Sequence, residues 1–309
     1  MEIISETFDF ELNRETAVAI GKFDGLHLGH RRLLQEILAK KKEGLTACVF
    51  TFDPSPGVFF GLTDGRELTT RLEKRKILEK MGVDVLVEFP MTRESAAMEP
   101  QVFIEEILVK RLQVRFLAAG ADVSFGARGA GNAELLQRLA AVYHYQVKTI
   151  EKVKLEETEI SSTLVKSQVE AGNMPYAEAL LGMPYTIAGS VQHGMALGRR
   201  LGMPTVNLLP ERDKLLPPKG VYYSEVLYKG KRYAAISNIG CKPTVSQEEI
   251  QGVESYLYDF QEEIYGEDIE VRLLAFKRPE MRFEGVEALR EQMQKDILEG
   301  KKYHLSKRG

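Results

Sequence analysis

The chain is short of cysteine and has no tryptophan: its 309 residues hold two thiols, Cys48 and Cys241. Two thiols so far apart exclude a zinc cluster and a disulfide framework. Each lies in an apolar or strand-like context and reads as a small buried hydrophobe. No apolar run is long enough to cross a bilayer. The N-terminal MEIISETFDFEL is acidic and lacks the basic and apolar stretches of a secretion signal. The expectation is a cytoplasmic protein with no membrane partner. An excess of one charge sign is also missing: 42 Lys+Arg face 45 Asp+Glu, a net of −3. A dedicated nucleic-acid binder would need a basic surplus for its phosphate contacts, so none is expected. The sequence GxxxxGK[ST] occurs nowhere, which excludes a P-loop enzyme. Internal repeats and low-complexity tracts are absent too.

What remains is an ordinary globular composition, 44% hydrophobic and 28% charged, long enough for two domains. In the first half, short β-branched runs alternate with amphipathic segments. Strands are expected at 16–21, 45–52, 83–89, 115–121 and 145–150, with helices from His30 and near 71–81, 100–112 and 132–143. Strands separated by helices require crossovers, and hence a doubly wound parallel α/β sheet with helices on both faces. Residues 161–182 look helical, broken at Ala171-Gly172-Asn173 and stopped at Gly182-Met183-Pro184. The domains are therefore expected at 1–182 and 183–309. Beyond 184, strand-like runs at 220–228, 232–240, 253–260 and 269–276 follow one another without helices, which favours a small antiparallel β-barrel. A C-terminal helix over 285–298 places Val286, Leu289, Met293 and Ile297 on one stripe.

Chemistry concentrates first in Gly21-Lys22-Phe23-Asp24-Gly25-Leu26-His27-Leu28-Gly29-His30. This block follows a strand and opens a helix, where free N–H groups and the helix dipole favour an anion. Glycine lets a phosphate approach the backbone, and the imidazoles can donate to an α-phosphate that gains charge during displacement. A bare His-x-x-His would be an ordinary helix start. The full block resembles the His-x-Gly-His signature of the nucleotidylyltransferase superfamily, and with Phe-Asp-Gly in front it resembles the N-terminal domain of prokaryotic FAD synthetases. Thr51-Phe52-Asp53-Pro54-Ser55-Pro56, the Gly120-x-Asp122 segment and Ile160-Ser161-Ser162-Thr163 support the likeness.

The resemblance implies transition-state stabilisation by His27 and His30, with Phe23, Asp24, Gly25, Gly29 and Asp122 lining the nucleotide or flavin. It also implies that Ser161, Ser162 and Thr163 bind outgoing pyrophosphate; taken alone, these hydroxyls read as an N-cap and Asp122 as a solvated loop residue. The chain departs from the family pattern at Leu164, Lys166, Val123 and Ser124, where guanidinium or aromatic groups are usual.

The second concentration is Val191-Gln192-His193-Gly194-Met195-Ala196-Leu197-Gly198-Arg199-Arg200-Leu201-Gly202-Met203-Pro204-Thr205-Val206-Asn207. Glycines at 194, 198 and 202 suit a loop folded over phosphates. Thr205 and Asn207 point the same way in an extended segment and offer two neutral oxygen ligands to Mg²⁺. The block resembles the riboflavin kinase module, as do Pro217-Pro218-Lys219-Gly220-Val221-Tyr222, Ile236-Ser237-Asn238-Ile239-Gly240, Val253-Glu254-Ser255 and Arg278-Pro279-Glu280.

That likeness implies phosphate and flavin contacts from Gly194, Gly198, Arg199, Gly202 and Arg278, a magnesium held by Thr205 and Asn207, and Glu254 as general base. From the residues alone, Glu254 is a surface strand glutamate and Arg278 the partner of some carboxylate. Together the two resemblances imply a bifunctional enzyme that uses ATP to convert riboflavin to FMN and FMN to FAD. A kinase whose first domain is impaired and a regulator without turnover are the alternatives. The oligomeric state is open.

Overall fold

In the computed structural model, the described residues are 1–193, 198, 201–242 and 250–307. The chain divides into two compact units, Met1–Ser162 and Thr163–Gly309.

The first unit is built on six parallel strands: β1 (Glu2–Ser5), β2 (Thr16–Ile20), β3 (Thr46–Asp53), β4 (Val85–Pro90), β5 (Val114–Gly120) and β6 (Gln146–Ile150). Their spatial order is β1-β4-β3-β2-β5-β6. The interior strands are continuous apolar runs because both faces are covered, as parallel sheets require. Val18, Phe50 and Val87 face one core, which is completed by Phe103, Leu108 and Leu136 from helical segments. Ala17, Val49 and Leu86 face the other, against Leu34 and Ile37 of helix Leu28–Ala39. The acidic N-terminus, which carries no alternating pattern, supplies the edge strand β1 and pairs with β4 in register from Glu2 opposite Val85. Chain direction reverses its lateral progress between β2 and β5. Their carboxyl ends, Ile20 and Gly120, therefore flank the topological switch point, where open α/β sheets bind ligands.

After a two-strand hairpin, β7 (Lys154–Leu155) and β8 (Thr158–Glu159), the second unit begins with helices Ser162–Glu170 and Met174–Leu181, which flank the expected break at 171–173. The helical stretch that the pattern grouped with the first domain is counted here because Met174–Leu181 packs on barrel strands. The barrel is closed by six strands: β9 (Tyr185–Gln192), β10 (Val206–Leu208), β11 (Gly220–Tyr228), β12 (Lys231–Lys242), β13 (Ile250–Leu257) and β14 (Asp268–Pro279). They follow the order β10-β13-β12-β11-β14-β9. The sequence pattern located four of these. β10 is three residues long and β9 carries Gly189 at its centre, so neither has a full period-two signature.

Buried Ser224, Ser237 and Ser255 join β11, β12 and β13 through hydroxyl contacts of 2.7 Å, which satisfies polar groups that the interior would otherwise penalise. The final helix runs Val286–Ser306, longer than its apolar stripe, and is docked by Tyr258 Oη donating to Ile297 O and by His304 Nε2 at 2.9 Å from Ala235 O. The reading of both thiols as buried is corrected: Cys48 is buried in the sheet, whereas Cys241 is exposed on β12. Among the described residues no helix is long and apolar enough to cross a membrane.

Candidate functional sites

The first site stands at the end of β2. The turn from Gly21 to Leu26 is tight, with left-handed backbone at Phe23, Gly25 and Leu26, and it is pinned from beneath. The Phe23 ring is fully buried and lies 5.2 Å from the ring of His30, so this residue supports the site from the core side. Asp24 turns its carboxylate away from the turn: Oδ1 accepts from the backbone N–H groups of Leu68, at 2.7 Å, and Thr69, at 3.2 Å. Gly25 N donates to Thr69 Oγ1. Asp24 is thus a fastener of the loop.

The turn delivers His27 and His30 face to face, with ring centroids 3.8 Å apart and planes 18° from parallel. His27 caps helix Leu28–Ala39 by accepting from the N–H of His30 at its Nδ1. A neutral imidazole with an accepting Nδ1 carries its proton on Nε2, which is left as a donor. Both rings are held neutral. Burial lowers His27 to about 4 against the opposing pull of Asp24 and Asp122. Burial, the neighbouring His27 and the charge of Lys74 push His30 well below the usual range. The Nδ1 of His30 is buried and has no hydrogen-bond partner among the described residues. Gly29 permits the stack: a Cβ there would stand 3.1 Å from Cε1 and Nδ1 of His27.

Two other expected segments approach this loop. Ser162 Oγ donates to Asp24 O at 2.9 Å. Ser161 is half-buried beside it, and Thr163 is exposed as the second residue of helix Ser162–Glu170. Asp122 lies past β5 on the other side of the switch point. Its side chain is 69% exposed and pairs with Lys152 at 3.6 Å, and its charge acts on His27. Lys74 has no counterpart in the pattern reading. It is 8% exposed, in the first turn of helix Arg71–Lys80, whose N-cap is Thr70.

The second site lies in the barrel. Asn207 on β10 and Asn238 on β12 both stand opposite Glu254 on β13, one on each flank. Thr205 Oγ1 donates to Glu254 Oε1 at 2.5 Å. A cavity of about 310 Å³ is lined by Gly198, Thr205, Asn238, Glu254 and Arg278 together with apolar groups such as Met293 and Ile297 of the final helix, whereas Asn207 is buried and is not part of this lining. Thr205, Asn207 and Glu254 form a set of hard oxygen donors with a single formal charge. Such a set fits Mg²⁺ completed by phosphates and water better than a softer metal.

Gly198 must be glycine, because a Cβ would meet Met203 O at 2.5 Å; Gly202 adopts φ +77° in the same turn. Gly194 and Arg199 lie outside the described residues. Arg278 does pair with a carboxylate: its Nε reaches both oxygens of Asp296 at 3.1 Å and its Nη2 reaches Oδ2 at 2.5 Å. Asp296, from the final helix, is 4% exposed and also meets Lys277 Nζ at 3.0 Å. Sequence reasoning missed it; its place beside Leu289, Met293 and Ile297 on the apolar stripe was the one available signal, since a charge is rarely buried unless it is paired.

Comparison with known proteins agrees with this division. The family profile described as FAD synthetase matches residues 9–164, and that described as riboflavin kinase matches 181–304. A bifunctional riboflavin kinase/FMN adenylyltransferase of Escherichia coli K12 is 38% identical over 93% of this chain and 92% of its own. One from Listeria monocytogenes is 35% identical over 90% and 89%. A crystal structure from Streptococcus pneumoniae described as a macrolide-efflux protein superposes with a TM-score of 0.81 at 30% identity, covering 94% of each chain.

Proposed function

The chain belongs to the bifunctional riboflavin kinase/FMN adenylyltransferase family, and from that premise we propose which of its residues carry each of the two reactions. The protein is an enzyme of flavin cofactor synthesis: it phosphorylates riboflavin to FMN and adenylylates FMN to FAD, with ATP as co-substrate in both steps. A cytoplasmic location suits an enzyme that consumes ATP in both steps. Functionally, residues 1–182 serve adenylyl transfer and 183–309 serve the kinase.

In the kinase step the riboflavin 5′-hydroxyl attacks the γ-phosphorus of ATP, the bond to the β-bridging oxygen breaks and ADP leaves. Glu254 takes the hydroxyl proton. Thr205 and Asn207 would hold magnesium. Because the Thr205 hydroxyl donates its hydrogen bond to Glu254 Oε1, the lone pairs of its oxygen would remain for the cation. A bound Mg²⁺ would neutralise charge on the β- and γ-phosphates. Arg278 lines the flavin or phosphate end of the cavity, its guanidinium oriented by Asp296. Gly198 and Gly202 belong to the loop over the nucleotide, and phosphate contacts from Gly194 and Arg199 are what the family likeness implies.

In the second step an FMN phosphate oxygen attacks the α-phosphorus of another ATP, and pyrophosphate leaves. His27 and His30 donate hydrogen bonds to the α-phosphoryl oxygens as charge develops there. Ser161, Ser162 and Thr163 receive the pyrophosphate, Asp122 orients the nucleotide or flavin, and Gly25 and Gly29 keep the backbone close to phosphate. Phe23 and Asp24 support these groups from below.

The observation that carries this assignment is the contact between Thr205 and Glu254 at the wall of a cavity of flavin-compatible, largely apolar lining. Incubation with riboflavin and MgATP, followed by separation of flavins over time, tests it. FMN should form first and FAD after it. Replacing Mg²⁺ by EDTA should stop FMN formation; turnover at the normal rate without a divalent ion would remove the metal assignment.

A further inference from the structure

We infer that Lys74 anchors a phosphate group at the adenylyl-transfer site. The inference rests on the reading of His27 and His30 as that site and adds a charge that the histidine loop lacks. Lys74 is 8% exposed, so most of the side chain is packed in the protein while its ammonium keeps access to solvent, as in a snorkelling lysine. Its one ion-pair partner among the described residues is Glu67, with Nζ 3.8 Å from Oε2, too long for a hydrogen bond. It also occupies the first turn of helix Arg71–Lys80, where the dipole repels a cation rather than stabilising it. A fold that only needed to fill this position would be better served by an apolar residue like Leu78 one turn later, which is fully buried on the same side.

The surroundings identify what is complementary to this charge. The field of Lys74 acts on His30, whose Nδ1 is buried without a partner, and His30 is stacked on His27, whose Nε2 is a donor. The helix that carries Lys74 is tied to the histidine turn through Asp24 and the N–H groups of Leu68 and Thr69, which lie just ahead of its cap. The result, with Asp24 held by backbone N–H groups, Asp122 paired with Lys152 and Glu67 3.8 Å from Nζ, is an ammonium and two neutral imidazoles. An anion with several oxygens satisfies all of them. In the reaction that anion is a phosphate, either of the ATP chain that leaves as pyrophosphate or of FMN.

The test uses the full-length protein and steady-state kinetics of FAD formation, plus the reverse reaction from FAD and pyrophosphate. Lys74→Met should raise one KM by about 10- to 100-fold, the worth of a charge-assisted contact, and leave riboflavin phosphorylation unchanged. A rise for ATP and pyrophosphate assigns Lys74 to the leaving group. A rise for FMN alone assigns it to the acceptor phosphate. Lys74→Arg should restore part of the loss, which a merely structural lysine would not show.

Glu67→Gln provides a second arm that does not depend on the folding of the methionine variant. Removing the competing carboxylate should tighten pyrophosphate or FMN binding by about threefold or more. Unchanged KM values in Lys74→Met, or unchanged or weaker binding of both ligands in Glu67→Gln, overturn the inference. His30→Ala separates this from the parent reading: if it abolishes FAD formation while Lys74→Met leaves every KM unchanged, only the lysine assignment falls. If His30→Ala is fully active, the site reading itself falls.

Discussion

Gly29 lies so close beneath the His27 ring that a single methyl group at position 29 would stand 3.1 Å from both Cε1 and Nδ1. The stack of the two imidazoles therefore depends on a residue that makes no contact of its own with substrate through a side chain. Gly29→Ala should tilt His27 and break its cap on the N–H of His30. A displacement of this kind costs about 100-fold when a reacting group loses its alignment. FAD formation should fall accordingly, while riboflavin phosphorylation by the same preparation stays at the wild-type rate. Equal FAD rates in both proteins would show that the stacked geometry is dispensable.

Neutral histidines at this site have a consequence for stability. Burial keeps His27 protonating only near 4, against 6.5 when it is free in the unfolded chain. Between those values the unfolded chain binds more protons than the folded one, so stability falls as the pH falls through this window and is fully present above it. For His27 alone the difference amounts to roughly 3 kcal/mol at most. Chemical denaturation of wild type and His27→Gln, each at pH 7 and pH 4, measures it. The wild-type first unit should lose more stability on acidification than the variant, and equal losses would mean that the ring is not held neutral.

Glu254 and Thr205 give the kinase step a separate signature. Glu254→Gln keeps the size and the hydrogen bond from Thr205 but removes the base, and should lower FMN formation by about 100- to 10,000-fold. Thr205→Val removes the hydroxyl and should raise the magnesium concentration needed for half-maximal rate, whereas Thr205→Ser should not. With FMN supplied, all three variants should still make FAD. Normal riboflavin phosphorylation by Glu254→Gln would reassign the proton acceptor.

Much of the architecture was legible because the physics behind it is local. Interior strands such as Thr16–Ile20 and Thr46–Asp53 are continuous apolar runs, and the helices between them carry clear stripes. The histidine loop and Thr205, Asn207 and Glu254 were singled out through the family resemblance, since the residues alone left Glu254 a surface strand glutamate. What escaped depends on partners distant in sequence. β1 is a strand because it completes the sheet beside β4, and β10 because it lies between β9 and β13. Phe23 and Asp24 were expected to meet ligand, yet their side chains serve the protein: Phe23 fills the core and Asp24 binds the backbone of Leu68 and Thr69. Asp296 was overlooked because an acid on a helix reads as solvated until the strand bearing Lys277 and Arg278 is placed against it.

That acid carries the last prediction. Asp296 is 4% exposed and receives Arg278, Lys277 and Gln292 Nε2, the last at 3.0 Å. Burial alone would raise its pKa, but the hydrogen bonds from Arg278 and Lys277 outweigh burial and hold the carboxyl below its ordinary 3.8. Its contribution is thus complete at neutral pH and is lost only as the pH falls below that value. Asp296→Asn keeps the shape and leaves Arg278 without its carboxylate beside the cavity, while Lys277 retains Glu299. Breaking one side of a buried ion pair costs about 3–5 kcal/mol, so the barrel unit should unfold at distinctly lower denaturant than wild type. The guanidinium of Arg278 also loses its fork, so the KM for riboflavin or ATP should rise even where the protein is folded, and FAD formation from supplied FMN should not change. An Asp296→Asn protein with wild-type denaturation and wild-type kinase kinetics at pH 7 would mean that the final helix is held by its apolar stripe alone and that Arg278 needs no partner to line the cavity.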